Sequence, residues 1–170
     1  MSSAKAAARV LHFCSAQMTI VEQSIEIAAP PNEVFVFFVP QRMPYWYGAE
    51  MECQLEVSGS EADFRLAQKV RVSWHLKGFL GGKKIAHTAV VTGYESPRIL
   101  EWRFEDRYGV RGTEHWELKP TPAGTRVTMR SEYSMPGIIA RIVDQLFTRH
   151  AVARRNREYL ARLRKLAERR

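Results

Sequence analysis

The chain has 170 residues, 45% hydrophobic and 26% charged, a balance that one globular domain can fold with and bury a core without disulfides or a structural metal. No apolar run reaches the length of about 18 residues that a membrane-spanning helix needs. The formal charge of +8 is uneven: residues 137–170 hold ten Arg or Lys against three acidic residues, a net +7, which leaves residues 1–136 near neutral at +1.

Residues 1–17 read as a flexible N-terminal extension whose apolar stretch is too short and broken for a secretory signal, with Met18 as an alternative start and 18–170 as the folded domain. Cys14 and Cys53 form no CxxC pair, so a reducing cytoplasmic setting is expected. Residues 19–27 suggest a first strand with Val21, Gln23, Ile25 and Ile27 on one face. Pro30 and Pro31 stop it and suit a first helical turn, so Val34 to Val39 predicts a short helix. A second helical turn is expected around Met43 to Tyr47.

From residue 48 the period changes to two, the mark of half-buried antiparallel strands. Ala49, Met51, Cys53, Leu55 and Val57 alternate with polar residues. Leu66, Val70, Val72, Trp74 and Leu76 then alternate with Lys69, Arg71, Ser73, His75 and Lys77, and Gly78, Gly81 and Gly82 supply a reversal. Residues 83–94 form a strand of ambiguous phase, because Ile85, Ala89 and Val91 compete with Val90 and Tyr94 for the inner face. Three further strands follow, carrying Leu100, Trp102 and Phe104, then Val110, Gly112, Glu114, Trp116 and Leu118, then Val127, Met129, Ser131 and Tyr133. After Pro136-Gly137 the chain to Ala167 lacks Pro and Gly, and Ile139, Ile142, Val143, Leu146, Leu160 and Leu163 recur at helical spacing.

The pattern predicts an α+β helix-grip fold: a curved antiparallel sheet of six to seven strands, two short helices after strand 1, and a long C-terminal helix over the concave face. A helix across a curved sheet touches its rims, so a mostly apolar cavity is expected. Its wall would take Met51, Cys53, Val70, Val72, Trp74, His87, Val91, Trp102, Glu114, Trp116, Met129, Ser131 and Tyr133 from the sheet side, Trp46 from the short helices, and Ile139, Ile142, Val143 and Leu146 from the long helix. Loops near Trp46 and Gly78 to Gly82 would gate it.

The run Ile25-Glu26-Ile27-Ala28-Ala29-Pro30-Pro31-Asn32-Glu33-Val34-Phe35, with Pro44-Tyr45-Trp46, resembles the opening of the START/polyketide-cyclase-like (SRPBCC) superfamily. Tyr94 to Trp102, Trp116 to Pro120 and Gly124 to Thr128 are similar too, and the likeness covers about residues 19 to 168. The resemblance implies a helix-grip fold that binds lipids, isoprenoids, polyketides or other aromatics, with catalysis in some branches and no shared catalytic motif to place on these residues.

Glu114 stands out because the alternation sets a carboxylate on the apolar face, where a raised pKa would suit general acid or base work. His87 and Tyr133 are its candidate partners in a cyclase or dehydratase reading. The blander reading is a Glu114 paired with an Arg, and a His87 hydrogen-bonded as part of the core. The histidines and cysteines show no metal-ligand spacing, and neither a phosphate loop nor a GxSxG elbow occurs, so no metal or cofactor is expected. The basic helix reads as a solvated face or as a weak contact for anionic membranes, and its lack of interleaved aromatics argues against nucleic acid. The leading expectation is binding or carriage of a hydrophobic small molecule.

Overall fold

A computed structural model describes residues 18–59, 62–76 and 83–169; the expected extension at 1–17 and the expected gate at 78–82 lie outside them. In chain order come β1 (Thr19–Ile27), α1 (Pro31–Phe35), 3-10 turns at Met43–Tyr45 and Ala49–Met51, then β2 (Gln54–Val57) and β3 (Lys69–Leu76). There follow β4 (Lys83–Glu95), β5 (Ile99–Asp106), β6 (Arg111–Thr121), β7 (Gly124–Ser134), α2 (Ile138–Val143), a π turn (Asp144–Thr148) and α3 (Arg149–Ala167). The strands make one curved antiparallel sheet in the order β1-β7-β6-β5-β4-β3-β2, so the first strand closes against the last. This is the α+β helix-grip arrangement.

The alternation read from the sequence decides which side chains turn inward. Trp102 pairs with Glu114 and Glu114 with Ser131 across neighbouring strands, so the three share the concave face; Leu100, Trp116 and Met129 form the adjoining row. Directly paired side chains lie close enough to pack, and these rows give Leu100, Trp102, Trp116 and Met129 to the core. On the other face Glu26 pairs with Arg126 and Glu101 with His115, in contact with solvent.

The ambiguous strand is settled by a register shift between Val91 and Gly93. Before it Ala89 and Val91 are buried and Val90 is exposed; beyond it Tyr94 turns inward onto Phe35. A bulge adds one residue to one strand, so both competing phases are used in succession.

Three expectations are corrected. The strand expected from Ala49 shrinks to Gln54–Val57, because Gly48 and Glu52 both take positive φ and curl the chain into a 3-10 turn. A Cβ at Gly48 would stand 2.6 Å from the Trp74 indole nitrogen, so this corner tolerates only glycine. Leu66 is exposed rather than inward, since the positive φ of Ala67 delays the strand to Lys69. Helix α1 ends at Phe35, short of the expected Val39.

The C-terminal helix divides in two. Asn156, Tyr159, Leu160, Leu163 and Ala167 of α3 are buried against the grip, and α3 packs chiefly along β1. Over α2 and the π turn only Asp144 is buried among the side chains described, held by Tyr133 Oη at 2.6 Å and by the Thr19 hydroxyl.

Candidate functional site

The concave face carries an aromatic layer. Trp102 and Trp116 meet edge to face with centroids 4.7 Å apart, and Tyr47 lies against Trp102, Trp116 and Tyr159 at 5.7, 5.8 and 5.1 Å. Such tilted and edge-on pairs suit the ring quadrupoles and form an aromatic wall. Trp46 is fully buried behind it, its indole N–H donating to the Phe37 carbonyl at 2.9 Å.

Within this layer sits one acid. Glu114 Oε2 accepts a hydrogen bond from Tyr47 Oη at 2.6 Å and from Trp102 Nε1 at 3.1 Å, and the residue is only 4% exposed. Burial raises its pKa; the Arg155 guanidinium and the two donated bonds offset part of that rise. Burial also pushes the Tyr47 hydroxyl well up, with the neighbouring Glu114 charge adding to it. Burial alone would lower the pKa of Arg155, but Tyr159, Glu114 and Tyr47 outweigh it, so the guanidinium keeps its charge. The Cys53 thiol, buried nearby, is pushed up to about 12 and stays protonated and unreactive.

Several buried polar atoms around Glu114 have no hydrogen-bond partner among the described residues: Trp116 Nε1, Arg155 Nε, Tyr159 Oη and the amide oxygen of Asn156. The Asn156 amide nitrogen donates to Ser131 Oγ at 3.0 Å, which fixes the face of α3 that looks at the sheet. Buried polar groups are nearly always paired with protein or ordered water, so these are the atoms that could take a further partner.

His87 shares the concave face, stacked on Phe104 at 4.9 Å and edge-on to Trp74 at 4.9 Å, with a buried, unpartnered Nε2. Burial lowers its pKa to about 4 and nearby Arg155 adds to that, so the ring is neutral at neutral pH. Tyr133 is not brought to Glu114: its hydroxyl donates to Asp144 and is committed to anchoring the π turn. Val70, Val72, Val91, Met129 and Ser131 are buried on the concave side, and Met51 is half-buried at its rim.

Ile139, Ile142, Val143 and Leu146 do not line an enclosed space; they are 46 to 80% exposed. The tether through Asp144 turns the opposite side of this segment to the sheet. The recesses described include about 600 Å³ beside Phe35 and Pro97, about 860 Å³ over Thr88, Val90 and Arg103, and about 460 Å³ that takes in His87 with Arg71 and Lys84. Beneath α3 the grip is occupied by its own aromatic side chains.

Sequence reasoning missed Tyr47, Arg155, Asn156 and Tyr159. Arg155 was hidden in a basic run and read as solvated, although it stands one residue before the buried line of Asn156, Tyr159, Leu160 and Leu163.

Residues 18–168 match the family model described as polyketide cyclase / dehydrase and lipid transport. The chain belongs to this family. Membership supports a hydrophobic ligand-binding fold, and the described residues include no helix long and apolar enough to cross a membrane. No curated protein matches the chain. Among solved structures it is similar to a protein of unknown function from Staphylococcus aureus, at TM-score 0.71 and 10% identity, covering 89% of this chain and 94% of that one. A protein from Chromobacterium violaceum gives TM-score 0.67 and 16% identity over 88% of this chain and 97% of that one. DynU16, from the dynemicin biosynthetic locus, gives 0.60 and 22% over 88% of this chain and 47% of its own length. At such identities these likenesses establish the shared fold.

Proposed function

We propose that the protein binds or carries a hydrophobic small molecule, a lipid, isoprenoid, polyketide or aromatic, with a carbonyl or hydroxyl end seated among Glu114, Tyr47, Arg155 and Tyr159. The observation that carries this reading is the set of partnerless buried polar atoms inside an aromatic wall. A ligand oxygen would accept from Arg155 Nε or Tyr159 Oη, while its apolar body displaces or slots between the indoles. Titration with an anthraquinone and with a fatty acid, read by tryptophan quenching, tests it. Saturable quenching by either class supports binding, with the Tyr159→Phe variant weakened about tenfold; no saturable response to both would refute it.

The second reading is a cyclase or dehydratase. What favours it is the raised pKa of a buried Glu114 bonded to Tyr47, a carboxyl tuned for proton transfer. The likeness to a protein of the dynemicin biosynthetic locus suits it as well. His87 would serve as a neutral acceptor, and Tyr47 stands beside Glu114 while Tyr133 is bonded to Asp144. In Glu114→Gln, turnover of a polyketide substrate would collapse while apolar ligands still bind; unchanged turnover would exclude Glu114 as the acid or base.

A further inference from the structure

We propose that the stretch from Ile138 to Phe147 is a docking face for an anionic lipid surface. Ile138, Ile139, Ile142, Val143, Leu146 and Phe147 are all exposed, between 46 and 80%, within ten consecutive residues. Single exposed apolar residues are ordinary, but a contiguous helical face of six is not. The face is fixed in direction: Asp144, tethered to Thr19 and Tyr133, takes the sheet side, which sends the apolar side chains outward.

Charge selects the occupant. The apolar face runs on into exposed Arg149, His150, Arg154 and Arg157, within a segment that carries net +7 over residues 137–170. A second copy of this chain would bring two such faces of like charge together. An anionic bilayer meets both features: an amphipathic helix lies in the interface with its apolar side about 5–10 Å deep while its cations reach the headgroups. At the same end, next to Pro136, the turn between β5 and β6 exposes Tyr108 with Arg107 over its ring at 4.7 Å, an aromatic and cation pair suited to headgroup depth.

This inference is independent of the ligand reading, because none of its residues touches Glu114. The test is co-sedimentation of the full chain with phosphatidylcholine vesicles, with and without phosphatidylserine, alongside the double variant Ile142→Asp, Leu146→Asp and the double variant Arg154→Ser, Arg157→Ser. Binding should require phosphatidylserine, weaken with added salt, and fall about tenfold or more in the Asp variant while its melting temperature and its quenching titration are unchanged. The Ser variant should lose affinity more modestly. Absence of binding, equal binding to neutral vesicles, or wild-type binding by the Asp variant would overturn the proposal. So would a concentration-dependent dimer abolished by the same variant, which would place a second copy on the face.

Discussion

The two halves of the C-terminal helix share a continuous backbone and a similar supply of large apolar residues, yet they do opposite things. Along α3 the apolar positions close onto the sheet with Asn156 and Tyr159 among them, whereas along α2 and the π turn the isoleucines, Val143, Leu146 and Phe147 face out and an aspartate faces in. The difference teaches that helical periodicity identifies an apolar face but not what that face meets; the tertiary anchors decide. In α3 the anchor is the hydrophobic rim with the Asn156–Ser131 bond, and in the π turn it is Asp144.

Truncation should separate the halves most sharply. Leu163→Ala removes a fully buried side chain and should cost about 2–5 kcal/mol in denaturant unfolding, whereas Leu146→Ala should stay within about 0.5 kcal/mol. Equal losses at the two positions would erase the distinction. Next in size, Gly48→Ala should cost about 1–3 kcal/mol, because the Cβ must fit a positive φ and displace Trp74; a neutral result in the same assay would show that corner to be soft.

Much of this frame was legible before the structure. Period-two alternation gave the inward rows from Val70 to Tyr133, and one strand looked ambiguous because a bulge makes it use both phases. The site was legible only in part. Glu114 announced itself as a charge on an apolar row, but its partners come from distant places: Tyr47 from the turn after the short helices and Arg155 from a basic run whose buried member is set by which face of α3 meets the sheet. The exposure of Ile139 and Ile142 was unreadable for a similar reason, since it depends on Asp144 finding Thr19 and Tyr133 across the fold.

An effect of similar size, confined to one segment, sharpens the same contrast. Asp144→Ala leaves Tyr133 and Thr19 without their acceptor and should cost about 1–3 kcal/mol locally. Amide exchange should then quicken over residues 138–148 while α3 keeps its protection; uniform quickening along the helix would mean that the halves are one cooperative unit.

Smallest at neutral pH, and growing on acidification, is the contribution of His87. Its folded pKa is depressed from 6.5 to about 4, so the unfolded chain binds the proton more readily and stability is lost as the pH falls through that window. A His87→Phe variant should show a flatter profile there. Glu114 has the opposite sign: its raised folded pKa favours the folded state at low pH, and that advantage is lost as the pH rises through the folded value, so Glu114→Gln should gain on the wild type at the alkaline side.

The most direct test is native mass spectrometry of the freshly purified protein, followed by solvent extraction of whatever is bound. A co-purifying apolar molecule bearing a carbonyl or hydroxyl group, retained by Leu146→Ala and lost or weakened in Arg155→Met, is the predicted result. Protein that runs only at its bare mass and takes up no member of a lipid, isoprenoid and polyaromatic panel would contradict a ligand site beneath α3.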